Sequence, residues 1–134
     1  MNDKIFVDTN ILVYSVSNDK DKKKIAENIL LNYDAVISPQ VIGEFVVVSL
    51  RKKILESSKV IVYAKKFMQV FHVTVITAKT VSLALDIMTK YKYSYWDSLI
   101  LSAALENSCS FLYSEDLQDA QKIEDTLIIV NPFS

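Results

Sequence analysis

Four acidic residues stand where a carboxylate has chemistry within reach. Asp8 follows at once on the apolar run Ile5-Phe6-Val7. Glu44 lies inside Val41-Ile42-Gly43-Glu44-Phe45-Val46-Val47-Val48, a stretch that reads as a helix apolar nearly all round. A charge there is costly unless it is paired or bound to a cation. Asp97 comes three residues after Ser94, and Asp116 follows Phe111-Leu112-Tyr113-Ser114 with Glu115 and Asp119 crowding it. Three acids so close repel one another unless a cation is present. Clusters of oxygen ligands suit hard divalent cations, Mg²⁺ or Mn²⁺. Each acid also has an ordinary reading. Asp8 can cap the helix after it, helped by Asn10. Glu44 can pair with Arg51 or a distant lysine, Ser94 to Asp97 resembles a capping box, and Asp116 can simply begin a turn. No member is specific alone, and the set is what points to metal-assisted chemistry.

Other chemistries are short of residues. Cys109 is the only cysteine, which excludes an internal disulfide and a cysteine-built zinc site. His72 is the only histidine, so carboxylates must carry most of any catalysis. An aspartyl phosphotransfer domain would also put Asp after its first strand, but it needs a second Asp two residues on, and that residue is Asn10.

The elements that must position these acids follow from periodicity. Ile5 to Val7, Ala35 to Ile37, Val73 to Ile76, Phe111 to Tyr113 and Leu127 to Val130 read as five short strands. Helices are expected over Ile11–Val16, Lys22–Leu31, Gln40–Lys53 behind the Ser38-Pro39 start signal, and Ser57–Phe71. Two more run from the Thr77 cap to about Lys90 and from the Ser94 cap through Glu106. Gly43 weakens its helix by about 1 kcal/mol relative to Ala, which suggests that backbone or ligand comes close there. Short strands alternating with helices predict a parallel sheet covered on both faces, with ligands bound beyond the carboxyl ends of the strands.

A chain of 134 residues, 51% hydrophobic with one Gly and two Pro, predicts one helix-rich α/β domain over residues 1–134. Met1-Asn2-Asp3-Lys4 runs into the first strand without a signal segment, and no apolar run reaches the length of a membrane span, so a cytoplasmic protein is expected. Net charge is −1 from 15 basic and 16 acidic residues. Setting aside four metal-binding acids leaves 16 − 4 = 12 acidic side chains against 15 basic ones. The basic residues cluster at Lys20 with Lys22-Lys23-Lys24, at Arg51-Lys52-Lys53 and at Lys65-Lys66. Such clusters can hold phosphates or serve as solvated helix faces. Tyr91, Tyr93, Tyr95 and Trp96 gather before Asp97, where they can stack on unpaired bases or pack in a core or interface.

In order and spacing, Phe6-Val7-Asp8-Thr9-Asn10-Ile11-Leu12, Ser38-Pro39-Gln40-Val41-Ile42-Gly43-Glu44-Phe45, Tyr95-Trp96-Asp97-Ser98-Leu99-Ile100, Leu112-Tyr113-Ser114-Glu115-Asp116-Leu117-Gln118 and Val130-Asn131-Pro132-Phe133 resemble the PIN domain. The resemblance is closest to the compact VapC-type toxin ribonucleases of toxin–antitoxin systems and spans essentially the whole chain. It implies a three-layer α/β/α sandwich with a central parallel sheet. It also implies that Asp8, Glu44, Asp97 and Asp116 are the acidic quartet, with Thr9, Asn10 and Ser114 placing metal or scissile phosphate. The implied activity is Mg²⁺- or Mn²⁺-dependent cleavage of RNA to a 5′-phosphate and a 3′-hydroxyl. A homodimer silenced by a cognate antitoxin is the implied assembly. The alternative is a catalytically inactive module of the same fold that binds RNA or protein. One departure is Asp119-Ala120, where relatives often carry His-Gly, which puts the local turn geometry in question.

Overall fold

The structure, a computed structural model, describes residues 3–134. Met1 and Asn2, read above as a start without a signal segment, lie outside them. Strand β1 (Lys4–Val7) leads through α1 (Thr9–Ser15) and α2 (Lys20–Asn32) to β2 (Asp34–Ile37). Helices α3 (Pro39–Arg51) and α4 (Ser57–Val70) follow, then β3 (His72–Val73). The chain returns through α5 (Ala78–Tyr91) and α6 (Tyr95–Glu106) to β4 (Phe111–Tyr113), β5 (Lys122–Ile123) and β6 (Leu127–Val130).

The strands form one sheet in the order β3-β2-β1-β4-β6-β5, parallel except for β5. From β1 the chain first builds outward through β2 and β3, then crosses back to lay β4 on the other side of β1. Right-handed crossovers in opposite directions put α1 to α4 on one face and α5 with α6 on the other. The packing agrees: α1 packs on α2 and α3, α3 on α4, and α5 on α6. The result is an α/β/α arrangement whose connections reverse between β1 and β4. Ile5, Phe6, Val7, Ile37, Leu112 and Ile129 are fully or almost fully buried between the layers.

Caps place the helices as expected. Ser38 accepts from Val41 N with Pro39 in the first turn, and Thr77 and Thr80 form a reciprocal capping box. Four details differ from expectation. The sheet has six strands, because Lys122–Ile123 pairs antiparallel with β6 at the edge, a two-residue strand with no periodicity to announce it. The third strand is only His72–Val73, because β2 ends at Ile37 and, beyond Thr74 N donating to Ile37 O (2.9 Å), no partner backbone continues. Helix α3 is not apolar all round in its setting: Gly43, Val47 and Leu50 form an exposed edge. The enclosed helix is α6, where Ser98 through Ala104 are all buried. Finally, among the described residues no atom lies within 4 Å of where a Cβ on Gly43 would be, so no close backbone approach from them explains that glycine. Among the described residues no helix is long and apolar enough to cross a membrane.

Candidate active site

The reversal between β1 and β4 opens a crevice at the carboxyl edge of the sheet, the place where parallel sheets bind ligands. Val7 and Tyr113 are register partners, so the residues that follow them, Asp8 and Ser114, emerge side by side. The ladder continues through Asp8 N donating to Tyr113 O (3.0 Å) and Ser114 N donating to Val130 O (3.0 Å). Glu44 comes from α3 on one face and Asp97 from the start of α6 on the other. All four acids line one cleft of about 650 Å³ together with Thr9, Asn10, Arg51, Lys52 and Lys53.

Asp8 is buried and does two jobs. Its Oδ1 accepts from Thr9 N (2.7 Å), capping α1, and its Oδ2 accepts from Ser114 Oγ (2.7 Å). Burial pushes its carboxyl up to about 6. The Ser114 and Thr9 bonds oppose that rise, and the charges of Glu44 and Asp116 add to it. Ser114, itself fully buried, also accepts from Asp116 N (3.2 Å), so one hydroxyl holds the two aspartates of β1 and β4 in register. Asn10 does not cap α1. Its Nδ2 donates to Asp116 Oδ2 (3.3 Å), and its Oδ1 accepts from Glu115 N (3.3 Å).

Glu44 is half-buried, and its partner is neither Arg51 nor a lysine. Gln40, one helical turn earlier, donates Nε2 to Glu44 Oε1 (3.0 Å) and to Trp96 O (3.1 Å), which ties α3 to the start of α6. Burial raises the Glu44 carboxyl, with Asp97 and Asp116 adding to it against the Gln40 bond. At Asp97 only half of a capping box forms. Its backbone N donates to Ser94 Oγ (3.2 Å), while among the described residues Ser94 N donates no bond back to its carboxylate. That carboxylate lines the cleft, and burial holds it above its usual value against the Ser94 bond, with Asp116 adding to the rise.

The two acids beside Asp116 are otherwise engaged. Glu115 accepts from Tyr14 Oη (2.8 Å) and pairs with Lys22 (2.9 Å), whose ammonium also lies over the Tyr14 and Phe133 rings. Burial pushes the Glu115 carboxyl up, but the Lys22 and Tyr14 bonds together outweigh it and hold it below its usual value. Asp119 accepts from Asn131 N (2.7 Å). Ala120, at the position where the resemblance implies glycine, takes a left-handed φ of 67°, its N donating to Ile129 O (2.8 Å). Of the four aromatics, Tyr91 accepts from Glu124 N, and Tyr93 bonds Gln121 and Gln118 N. Tyr95 and Trp96 pack edge to face, and Trp96 is 63% exposed beside Asp97.

Among the described residues no three carboxylate, imidazole or thiol groups stand close enough to enclose an ion as the side chains lie. The four acids therefore share a cleft and not a closed coordination sphere. That geometry suits Mg²⁺, which keeps several waters and takes one or two carboxylates directly. Thr9 Oγ1, buried at the cleft with no hydrogen-bond partner among the described residues, is a further oxygen in want of one. The donor set, all oxygen and short of positive charge, fits a hard divalent cation. Gln40, Tyr14 and Lys22 were not anticipated as parts of the site. Only the i, i+4 spacing of Gln40 and Glu44 signalled any of them in the sequence.

The family model of the PIN domain matches residues 5–124. No curated protein matches the chain in sequence. Among solved structures, a toxin–antitoxin complex from Klebsiella pneumoniae aligns at 20% identity over 96% of this chain and 97% of that one, with a TM-score of 0.71. VapBC2 from Rickettsia felis, bound to a promoter DNA fragment, aligns at 20% identity over 94% and 96%, with a TM-score of 0.68. Mycobacterium tuberculosis VapC20, a toxin that cleaves the sarcin-ricin loop, aligns at 18% identity over 81% and 86%, with a TM-score of 0.68.

Proposed function

The chain belongs to the PIN domain family, a family of nucleases, and from that premise we propose that it is a divalent-metal-dependent endoribonuclease, the toxin of a toxin–antitoxin pair. One observation carries the reading. Asp8, Glu44, Asp97 and Asp116 reach one cleft from four separate elements at the switch point of the sheet, and three of them are raised by burial and mutual repulsion. A protein that needed these acids only as caps would leave their carboxylates apart and solvated.

Asp8, Asp97 and Asp116 are the proposed chief holders of the ion, one or two of them directly and the rest through its waters, with Glu44 completing a second position or orienting the attacking water. Bound there, Mg²⁺ or Mn²⁺ supplies Lewis-acid activation of water and neutralises charge developing on the phosphate. Ser114 holds Asp8 and the Asp116 backbone together, Asn10 steadies the Asp116 carboxylate, and Gln40 fixes the rotamer of Glu44. Thr9 Oγ1 has a free donor for a phosphate oxygen or water. Water adds to phosphorus and the bond to the 3′ oxygen breaks, leaving a 5′-phosphate and a 3′-hydroxyl. Exposed Trp96, at the edge of the acids, offers a face for an unpaired base, which favours single-stranded or looped RNA.

A cytoplasmic homodimer bound by a cognate antitoxin is the proposed setting. Support comes from the complexes among the similar structures and from an apolar trough of about 230 Å³ between α2 and α4, floored by Leu30, Tyr63, Phe67 and Phe71. Exposed Val47 and Leu50 on α3 and Ile61 and Val62 on α4 supply further apolar surface for a second copy. The test is cleavage of mixed tRNA and rRNA by purified protein with Mg²⁺ or Mn²⁺, with EDTA, and with folded Asp97→Asn and Asp116→Asn variants. Cleavage that needs metal and vanishes in both variants supports the enzyme. Bound RNA without cleavage at any metal concentration would favour the inactive binding module.

A further inference from the structure

Three basic clusters compete in the sequence as phosphate binders, and the fold separates them. Lys22 is tied to Glu115 and Tyr14, and Lys66 lines the apolar trough between α2 and α4. Only Arg51, Lys52 and Lys53 line the cleft that holds the acids. Glu44, Val48 and Arg51 stand at i, i+4 and i+7 of α3, and all three line that cleft. One helix face thus carries an acid, an apolar spacer and a cation, with about 10 Å of axis between Glu44 and Arg51. Among the described residues none of the three basic side chains forms an ion pair. Asp19, another acid in the lining, caps α2 through Lys22 N (3.2 Å).

Cations at a helix C-terminus have an ordinary explanation in the helix dipole. It accounts for the charges of all three but not for the backbone conformation of Lys53. Lys53 N donates to Leu50 O (3.2 Å) and Ile54 N to Ser49 O (3.0 Å), so α3 closes in a Schellman motif with Lys53 at its left-handed position, φ 52°. Glycine is the favoured residue there, and an L-residue costs about 1–2 kcal/mol. Lys92, Ser108, Ala120, Glu124 and Asp125 share a left-handed φ, and what sets Lys53 apart from them is that it lines the cleft.

We infer that Arg51 and Lys53, with Lys52 beside them, form a phosphate subsite for single-stranded nucleic acid, one or two nucleotides away from the bond at the acids. The inference rests on the nuclease reading and adds where the strand runs once it leaves the acids. The Arg51 guanidinium matches a phosphate with paired N–H donors, and Lys53 adds a point charge. The subsite reads backbone charge and not base identity, so it contributes affinity and register to any sequence. It also offsets the repulsion a polyanion meets on approaching four carboxylates.

The experiment titrates a fluorescein-labelled single-stranded RNA of mixed sequence with the protein in Ca²⁺, at salt between about 50 and 200 mM. The Arg51→Gln/Lys53→Gly variant should bind about tenfold or more weakly at low salt, with the slope of log K against log salt reduced by about 1.4, two contacts at about 0.7 each. A Lys65→Gln/Lys66→Gln control should match wild type in both. Lys53→Gly alone should melt higher than wild type, which separates weaker binding from unfolding, and Mn²⁺ affinity read by electron paramagnetic resonance should stay constant in every variant. A wild-type slope and affinity in the double variant overturns the subsite and leaves the nuclease reading standing. Wild-type protein that neither binds nor cleaves RNA overturns both.

Discussion

Asp8→Asn should make the metal-free protein more stable while removing its activity. Asp8 is 5% exposed, and burial holds its carboxyl at about 6 against an ordinary value of 3.8. A rise of about two units is roughly 3 kcal/mol by which the ionised carboxylate is worse off in the fold than in the unfolded chain. Asparagine keeps an oxygen for Thr9 N but turns an amide toward Ser114 Oγ, which now donates to the carboxylate. Ser114 then loses its acceptor, at about 1 kcal/mol. The net gain is about 2 kcal/mol. For a 134-residue chain, with an unfolding entropy of about 0.28 kcal/mol/K, that is about 7 °C in Tm.

The pH dependence carries the sign. Because the folded value lies above the unfolded one, the bound proton stabilises the fold fully below about 3.8, and that contribution is lost as pH rises through about 6. Wild type in EDTA should therefore gain about 1.4 kcal/mol from this group between pH 7.5 and pH 5, and the Asn variant should not. The gap between them narrows accordingly. Mg²⁺ at neutral pH should raise the wild-type melting point and move the variant little, since binding stabilises only the form that binds. Differential scanning fluorimetry over pH, with EDTA and with Mg²⁺, reads all of this. An Asn variant melting at or below wild type in EDTA at pH 7.5, or a gap indifferent to pH, would refute the reasoning about Asp8.

Glycine positions give two further stability changes. Gly43→Ala should raise stability by about 1 kcal/mol, because nothing lies within 4 Å of the added methyl on an exposed helix position; denaturant unfolding showing a loss would reveal a hidden contact. Ala120→Gly relieves a left-handed alanine and should gain up to about 1 kcal/mol by the same measurement. Among the three crowded acids, Asp116→Asn should cost about a hundredfold or more in cleavage rate. Glu115→Gln, already bonded to Tyr14 and Lys22, should stay within about an order of magnitude of wild type and lose about 1 kcal/mol or less of stability, as expected for a partly exposed ion pair. Equal losses in both variants would mean that Glu115 reaches the metal.

Local pattern made much of this molecule legible in the chain alone. The apolar run before Asp8, the Ser38-Pro39 start, the Thr77 and Ser94 caps and the helical spacing between them are interactions among near neighbours, and they predict helices and strands close to those observed. The same locality brought Asp8, Glu44, Asp97 and Asp116 to notice, since an acid after a strand or inside an apolar helix stands out against its own neighbours. The tertiary structure decided what distance in sequence conceals. Ser114 and Asp8, 106 residues apart, touch only because the crossover lays β4 beside β1. Glu115 drops out of the acidic set because Lys22 arrives from α2, 93 residues away. Glu44 looked isolated in an apolar run, yet α3 exposes one edge and Gln40 gives it a partner. Strand order, helix layer and the pairing of distant charges depend on how apolar faces pack together across the whole chain. No local periodicity encodes that, which is why one basic cluster of three proves to share the cleft only once the chain is folded.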